Sequence, residues 1–300
     1  MTLPRRPGPS TRVRVREITG STAREREDRL ATEEPLEIRL AWPGRRAERL
    51  SVTMRTPGHD FELAAGFLYG EGLIASSSDL HTVAYCTDST LAPEQEFNVV
   101  TVELARPPRR TPSTRYDGPG AGSACGVCGK QSIDDVLTLG DGADLTDRWD
   151  DLVLSQDVLL TLPTTLREAQ RVFDSTGGLH AAGLFGADGT AVVVREDIGR
   201  HNAVDKVVGS RVLADSPTDI PVLCVSGRIG FELVQKAVAA GVAVIAAGVA
   251  VIAAVGAVIA AVGAPSSLAI SLAAEAGLCA VGFLSDERCV VYAMPDRIGV

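Results

Sequence analysis

Aromatic residues are scarce in this sequence, at 4% of the chain. Proteins that bind single-stranded nucleic acids usually stack the bases on aromatic side chains, so this scarcity argues against such a function. Positive charge is also in deficit, because the net charge is −9, and this disfavours broad contact with a phosphate backbone. We therefore expect no nucleic-acid partner. A few arginines and helix N-termini can still bind an anionic small molecule locally.

An apolar stretch is missing behind the N-terminal arginines, so no secretory signal is predicted and we expect a cytoplasmic protein. Six cysteines in 300 residues are too few for a disulfide scaffold. Cys224, Cys279 and Cys289 lie in apolar runs, where we expect small buried hydrophobic residues. Only Cys125 and Cys128 form a motif, which indicates thiol chemistry in a reducing compartment.

Composition divides the chain into four regions. Residues 1–30 are rich in Arg, Pro, Thr and Glu, which predicts a disordered basic arm. Residues 31–104 carry strand patterns and predict a smaller β-rich subdomain. Residues 105–130 are rich in Pro, Gly and Arg and predict a mobile loop that carries the cysteine pair. Over residues 131–300 helix and strand patterns alternate, which predicts an α/β core with a mixed sheet covered by helices.

One segment of the predicted core, residues 237–264, carries no charge and nearly repeats the unit Gly-Val-Ala-Val-Ile-Ala-Ala. It is long enough to cross a bilayer, for which about 20 apolar residues suffice. It interrupts a soluble α/β pattern, however, and its β-branched residues suit a strand. We therefore predict a duplicated strand unit, with an insertion near residues 248–261, and no membrane span.

The pair Cys125-Gly-Val-Cys128, followed by Lys130, is the most specific motif. A thiolate is the reactive form of cysteine, and a nearby cation stabilises it. The pair can form a disulfide, bind a metal or carry a persulfide. Zinc would need two further ligands, and the histidines are unpaired in sequence. The zinc deaminase signature is absent, because no His-x-Glu occurs.

A second group of polar residues lies in the segment 195–206, at the start of a predicted helix. His201 is suited to acid–base chemistry near neutral pH. Arg200 is suited to binding a phosphate or a carboxylate. The alternative interpretation is a solvated helix start that Asp197 caps.

Two turns complete the candidates. The 226–228 turn, Ser-Gly-Arg, follows a predicted buried strand, and such positions in α/β sheets bind phosphates. A plain strand-to-helix connection is the alternative. The 283–288 turn, in the final predicted hairpin, is by its composition an ordinary polar turn.

Taken together, these segments resemble the formate dehydrogenase accessory sulfurtransferases, the FdhD family. The matching stretches keep the family's order from about residue 30 to the C-terminus, and they are residues 56–72, 125–130, 176–182, 197–206, 226–228 and 264–267. The chain departs from the family pattern in its repeat, since the family needs a single strand there. Excising residues 248–261 would restore the expected length.

The resemblance implies a sulfurtransferase. Such a protein accepts sulfur from a cysteine desulfurase as a persulfide. It passes this sulfur to the molybdenum bis(molybdopterin guanine dinucleotide) cofactor, which formate dehydrogenase needs for activity. The resemblance also implies a cytidine-deaminase-like α/β core and a homodimer.

Carried over to this chain, the resemblance makes Cys125 the persulfide carrier and Cys128 its assisting thiol. It places the cofactor against the final hairpin turn, whose residues are Phe283, Leu284, Ser285, Asp286, Glu287 and Arg288. On physical grounds Arg228 is a further cofactor-binding candidate. Two other hypotheses stay open: a cofactor-binding chaperone without sulfur chemistry, and a zinc-stapled domain.

Overall fold

A computed structural model describes residues 6–87, 92, 95–112, 148–248 and 264–299. Cys125, Cys128 and all of the predicted 248–261 insertion except Gly248 lie outside the described residues. None of the described helices is both long and apolar enough to cross a membrane.

The N-terminal segment forms a long antiparallel hairpin of β1 (Ser10–Thr19) and β2 (Thr22–Ala31). The prediction that residues 1–30 are disordered is therefore wrong for residues 10–30. The same charged composition that suggested disorder is arranged as cross-strand pairs, because Arg16 faces Glu25 and Glu17 faces Arg24. Opposite charges on facing positions stabilise such a pair of strands. The turn between them uses Gly20 at a φ of 60°.

The next segment builds a four-stranded sheet and one helix. Its strands are β3 (Glu34–Trp42), β4 (Arg45–Arg55), β5 (Leu80–Tyr85) and β6 (Val99–Leu104), in the order β4-β3-β6-β5. Alternate side chains of β3, namely Leu36, Ile38 and Leu40, are buried, as expected for a sheet covered on one face. Helix α1 (Asp60–Gly70) contributes Leu63 and Leu68 to the same core.

The second half builds a six-stranded mixed sheet. Its strands are β8 (His180–Phe185), β9 (Ala191–Asp197), β10 (Val222–Val225), β11 (Val244–Gly248), β12 (Cys279–Leu284) and β13 (Val290–Ala293), in the order β13-β12-β11-β10-β8-β9. Strands β10, β11 and β12 are parallel, whereas the outer pairings are antiparallel. The prediction of a mixed sheet is confirmed.

Helices cover both faces of this sheet, as predicted. Leu223 and Val225 of β10 face one cluster, which also contains residues of α4 (Arg200–Leu213), α5 (Phe231–Ala239) and α6 (Ser267–Glu275). Val222 and Cys224 face the other cluster, which contains residues of α2 (Gln156–Glu168). Short elements complete the fold, namely α3 (Arg171–Thr176) and the parallel pair of β7 (Leu154–Ser155) and β14 (Ile298–Gly299).

Strand β11 comes from the first copy of the repeated unit. Val244, Ile245, Ala246 and Ala247 are buried at its centre, between β10 and β12. The sequence pattern predicts a strand over residues 242–246, and the observed strand lies two residues later. A uniformly apolar strand is expected where both faces of a parallel sheet are covered.

The isolated cysteines only partly follow the prediction that they are buried. Cys224 and Cys279 are fully buried, and burial raises the pKa of each thiol to about 12. Cys289 is only partly buried. The two buried thiols are therefore held in the neutral, unreactive form.

Candidate functional site

One edge of the six-stranded sheet collects most of the predicted site residues. The parallel strands β10, β11 and β12 end there at Val225, Gly248 and Leu284. Strand β8 begins there at His180, which pairs in register with Asp197 at the end of β9. Helices α4, α5 and α6 all begin near the ends of these strands. We call this the carboxyl edge, and in α/β sheets such edges bind ligands.

A buried ion pair fixes the start of α4 at the carboxyl edge. Lys206 Nζ lies 2.6 Å from Asp197 Oδ2, and both side chains are buried. Lys206 also donates to the carbonyl of Thr56 at 2.9 Å. Asp197 accepts from the amides of Thr56, at 3.2 Å, and Gly199, at 2.8 Å. The alternative interpretation of this segment, in which Asp197 caps α4, is wrong. The N-cap residue of α4 is Gly199.

Asn202 extends this network to the four-stranded sheet. Its Nδ2 donates to Asp197 Oδ1 at 3.0 Å and to the carbonyl of Met54 at 2.8 Å. Its Oδ1 accepts from the hydroxyl of Thr53 at 3.2 Å. The sequence analysis identified the segment 195–206 as polar but did not predict that Asn202 and Lys206 are buried. These two residues are four positions apart and therefore lie on one face of the helix. That spacing was the sequence signal that could have indicated a shared buried environment.

A second buried pair joins β4 to α1. The Arg55 guanidinium contacts both oxygens of Asp60, at 3.1 and 3.2 Å, and neither residue is accessible. The Tyr85 hydroxyl donates to Asp60 at 2.8 Å. Burial and the Asp60 carboxylate raise the pKa of Tyr85. Tyr85 is therefore a neutral donor that supports the pair.

A third pair links α1 to β9. Arg195 binds Glu62 in a bidentate manner, at 2.6 and 2.8 Å, and His59 Nδ1 lies 3.1 Å from the same carboxylate. Burial opposes the ionisation of Glu62, but the hydrogen bonds from Arg195 and His59 outweigh it and lower its pKa to about 2. Two of the three pairs connect the two halves of the chain. Arg195–Glu62 links β9 to α1, and both members of Lys206–Asp197 bond to the backbone of Thr56, which follows β4.

The polar start of α4 and the 226–228 turn, predicted separately, lie against each other. A methyl group at Gly227 would come within 3.3 Å of Arg200 Cβ and 3.4 Å of His180 Nδ1. His201 Nε2 lies 3.4 Å from Glu232 Oε2 at the start of α5. Burial, followed by the charges of Arg200 and His201, lowers the pKa of His180. This corner of the edge therefore concentrates cationic and imidazole groups.

The 226–228 turn has one internal and one outward-facing polar residue. Ser226 Oγ accepts from the amide of Ala181 at 2.8 Å, and its own amide donates to the Ala181 carbonyl at 2.9 Å. Its hydroxyl thus secures the turn to β8. Arg228 is exposed and remains accessible to an anion.

The 283–288 turn lies at the same edge, two strands away from Arg228. Phe283 has a φ of 50° and is 37% exposed, and the Arg288 guanidinium lies 6.0 Å from its ring. The amides of Glu287 and Arg288 point to Ser285 Oγ, at 3.4 and 3.2 Å. Those two amides therefore donate hydrogen bonds within the turn. Of the groups in this turn, the Arg288 guanidinium is the best suited to bind an anion.

A metal site is not apparent among the residues that the structure describes, where no group of three or more His, Cys, Asp or Glu side chains is placed to hold an ion. The predicted site residues Cys125 and Cys128 lie outside the described residues.

The described residues form an α/β protein built around a four-stranded and a six-stranded sheet, and the carboxyl edge of the larger sheet is rich in arginine and histidine. The chain belongs to the FdhD/NarQ family, whose family model matches residues 31–256 and 249–299. The two matched segments share residues 249–256, which lie within the repeated unit.

Relatives and a solved structure agree with this assignment. The chain is 47% identical to the sulfur carrier protein FdhD of Streptomyces coelicolor, over 96% of this chain and 94% of that protein. It is 44% identical to the protein of the same name from Mycobacterium tuberculosis, over 95% and 97%. A crystal structure of a protein assigned as a formate dehydrogenase accessory protein, from Desulfotalea psychrophila, matches with a TM-score of 0.68 at 23% identity, covering 97% of this chain and 99% of that one. This likeness supports the fold.

Proposed function

We propose that this chain is a sulfur carrier that serves formate dehydrogenase and holds the transferred sulfur as a persulfide on Cys125. The observation that carries the proposal is the 47% identity, over nearly the whole chain, to a relative named as a sulfur carrier protein. Three of the other thiols support it, because burial raises the pKa of Cys224, Cys279 and Cys289, which makes these thiols poor nucleophiles.

Sulfur loading requires one thiol exchange. The Cys125 thiolate attacks the outer sulfur of a persulfide on a cysteine desulfurase. A new S–S bond forms on Cys125, the S–S bond of the donor breaks, and the donor cysteine leaves as a thiolate. The charge is conserved, and no oxidant is needed.

Sulfur release uses the second cysteine. The Cys128 thiolate attacks Cys125 Sγ, which forms a Cys125–Cys128 disulfide and expels the outer sulfur as hydrosulfide. The two thiols supply the two electrons that reduce the sulfur. The hydrosulfide becomes a ligand of the molybdenum in the substrate cofactor, and a cellular dithiol reduces the disulfide afterwards.

The substrate in this proposal is the molybdenum bis(molybdopterin guanine dinucleotide) cofactor, bound at the carboxyl edge. Arg288 and Arg228 lie at this edge and would pair with diphosphate oxygens. Phe283 is partly exposed beside Arg288 and offers an apolar surface for a ring.

The partners in the proposal are a cysteine desulfurase, formate dehydrogenase and a second copy of this chain, in the cytoplasm. We also propose that the six-stranded core is related to the cytidine deaminase fold. The parallel β10-β11-β12 unit with α5 and α6 in its connections supports that relation.

The test is intact-mass analysis after incubation with a cysteine desulfurase and cysteine. We expect the wild type to gain ~32 Da, one sulfur atom, in a form that reductant removes. Cys125→Ala should lose the adduct, whereas the control Cys86→Ala, which changes a cysteine of the four-stranded sheet, should keep it. Absence of the adduct both from the folded wild type and from Cys128→Ala, in which Cys128 cannot release the sulfur, would overturn the persulfide mechanism and favour the cofactor-binding chaperone.

A further inference from the structure

The N-terminal hairpin of β1 and β2 forms a two-stranded sheet of its own. Each of its strands has 10 residues, so the hairpin is roughly 34 Å long. A two-stranded hairpin by itself is only marginally stable in water. A hairpin of this length is therefore suited to packing against a surface from outside the chain.

One face of this hairpin carries an excess of positive charge. Side chains alternate between the two faces along a strand, and directly paired residues share a face. The register therefore places six charged residues on this face, namely Arg12, Arg14, Arg16, Arg29, Glu25 and Glu27. All six are exposed, and four positive with two negative charges leave a net charge of +2. We call this the arginine face.

The opposite face of the hairpin is neutral. Its two arginines and two carboxylates are Arg24, Arg26, Glu17 and Asp28. Arg24 Nε lies 2.5 Å from Glu17 Oε2. Arg26 contacts Glu17, at 3.4 Å, and Asp28, at 3.1 Å. The charges of this face are balanced within the hairpin, whereas the guanidinium groups of the arginine face outnumber its carboxylates.

An apolar side chain, Ile18, lies near the tip of the arginine face, where it pairs with Ala23. Ile18 is 71% exposed, more than any other large hydrophobic side chain among the described residues. Protein interfaces are enriched in arginine, and an anchor residue that fills a pocket often dominates their energy. The arginine face with Ile18 therefore has the composition of a protein-binding surface.

Double-stranded DNA is the alternative occupant of this face, because its major groove admits a two-stranded ribbon. The two glutamates of the arginine face would then lie close to phosphates, and the net charge of −9 on the chain adds to the repulsion. An acidic protein surface with an apolar pocket fits both the charge of the face and the exposed Ile18.

The base of the hairpin lies beside the carboxyl edge of the six-stranded sheet. Strand β2 packs against α3, and a methyl group at Gly178 would lie 3.8 Å from Ala31 Cβ. Gly178 is two residues before His180, at which β8 begins at this edge. A protein bound along the hairpin is therefore adjacent to the carboxyl edge.

We propose that the arginine face and Ile18 dock on an acidic surface of formate dehydrogenase, the enzyme that receives the cofactor from the carboxyl edge. The identity of this partner rests on the proposed function. The sulfur donor has to reach only Cys125, whereas the recipient must take the cofactor from the edge beside the hairpin. Ile18 is eight residues from Ser10, which places it roughly 27 Å from the base of the hairpin.

The test measures binding of the full chain to the cofactor-free formate dehydrogenase of the same organism by biolayer interferometry. Arg14→Gln/Arg16→Gln should weaken binding at least about tenfold, because charge-assisted contacts are lost. The matched control, Arg24→Gln/Arg26→Gln, removes the same charge from the opposite face of the same hairpin. It should bind within about twofold of the wild type, since charges outside the contact change mainly the association rate. Equal affinities of the two double variants would overturn the proposal.

Ile18→Ser tests the apolar anchor. It should weaken binding about tenfold, because truncating an anchor residue is costly. Leu30→Ser, which changes a 49% exposed residue of the opposite face, should bind like the wild type. Both positions are exposed, so both variants should keep the fold, and circular dichroism measures this. Equal binding of the two variants would refute the role of Ile18 as an anchor.

The salt dependence of binding is a further readout. Added salt screens exposed charges, so it should weaken binding of the wild type more than that of Arg14→Gln/Arg16→Gln. A wild-type affinity that does not change with salt would contradict docking through the arginine face.

Other occupants of the arginine face would give different results. If Arg14→Gln/Arg16→Gln changes the oligomeric state in size-exclusion chromatography but not the binding of formate dehydrogenase, the face binds a second copy of this chain. If the wild type binds duplex DNA and this variant does not, the face binds nucleic acid. Either result would overturn the proposal.

The sulfur adduct separates this inference from the proposed function. Arg14→Gln/Arg16→Gln should still gain ~32 Da from a cysteine desulfurase. A wild type that gains the adduct but does not bind formate dehydrogenase would overturn the docking surface alone. Binding that depends on the arginine face, without an adduct on either the wild type or Cys128→Ala, would overturn the persulfide mechanism and support the docking surface.

Discussion

Gly66 of α1 and Gly209 of α4 bring their two helices into backbone contact. A methyl group at Gly66 would lie 1.9 Å from the carbonyl oxygen of Asp205, and one at Gly209 would lie 1.8 Å from that of Glu62. No side chain fits at either position, because the obstructing atoms are backbone atoms. This contact joins the four-stranded sheet to the helix that carries Arg200 and His201.

We expect Gly209→Ala to destabilise the protein strongly. The added methyl group must force the helices apart, and overpacking of this kind costs ~1–3 kcal/mol or more. Urea unfolding followed by circular dichroism measures the change.

The control is Gly70→Ala, in the last position of α1. There the nearest atom to an added methyl group is the flexible Lys236 Nζ, at 3.4 Å. This substitution should change the free energy of unfolding by less than ~1 kcal/mol, since alanine is the better helix former. Equal effects of the two substitutions would show that the close contact is not what matters.

Much of this fold could be predicted from periodicity. The apolar positions after Asp60 predict a helix that this residue opens, and those after Phe231 predict another, and helices α1 and α5 begin at these two residues. The apolar run 221–225 predicts a strand, and the runs 278–284 and 290–293 predict a hairpin, each within about a residue of β10, β12 and β13. These elements are determined by local sequence, and tertiary contacts do not override them.

The N-terminal hairpin could not be predicted in this way. Composition alone does not reveal that Arg16 and Glu25 face each other, since that depends on register. The buried ion pair of Asp197 with Lys206 was not predicted, for a related reason. Its partners Thr56 and Lys206 are brought to it by tertiary packing, and no local pattern in the sequence reports such a contact.

The candidate site was predicted in pieces. The 226–228 turn and Arg200 each had a local signal, whereas the 283–288 turn came only from the family resemblance. The sequence could not show that the three share one sheet edge. That fact follows from the strand order β12-β11-β10-β8, which depends on pairing between distant segments.

The Lys206–Asp197 pair gives a second prediction. Lys206→Met leaves the Asp197 carboxylate buried without its cation, and breaking a buried pair in this manner costs ~3–5 kcal/mol. Chemical unfolding of the purified variant measures this loss.

An exposed pair serves as the comparison. Arg12→Gln removes the cation from Glu27 in the N-terminal hairpin, where the two side chains are 68% and 74% exposed, and surface pairs contribute ~0–1 kcal/mol. A Lys206→Met variant as stable as Arg12→Gln would mean that the amide donors alone satisfy Asp197.

The lowered pKa of Glu62 leads to a specific prediction for how the stability of the fold depends on pH. Its folded-state pKa is about 2, below the usual 4.5, so its ionised form stabilises the fold. This contribution is fully present above pH 4.5 and is lost as the pH falls towards 2. The difference in unfolding free energy between the wild type and Glu62→Gln should therefore be largest near neutral pH and shrink between pH 4.5 and 2.

Glu275→Gln, at the exposed end of α6, is the control substitution. It should change the free energy of unfolding only slightly at neutral pH, because exposed charges contribute little to stability. A Glu62→Gln difference that does not change between pH 4.5 and 2 would contradict the pairing of Glu62 with Arg195 and His59.

The repeated unit leads to the last prediction, that excision of residues 248–261 preserves the fold. Gly282 of β12 lies beside β11, level with Ala247, because Ala246 pairs with Val281 and Gly248 with Leu284. Pro265 lies 3.0 Å from where a methyl group on Gly282 would be. The chain on either side of the excised segment is therefore close in space.

After excision, Val262 follows Ala247 directly, and three residues, 262–264, connect β11 to Pro265. Three extended residues span up to ~10 Å, which suits ends that both contact β12. We expect the shortened chain to remain folded, with an unfolding temperature at least equal to that of the wild type and less aggregation, because an uncharged β-prone segment is removed. Thermal unfolding and size-exclusion chromatography measure both. A shortened chain that unfolds or aggregates more readily would show that the additional copies are an integral part of this fold.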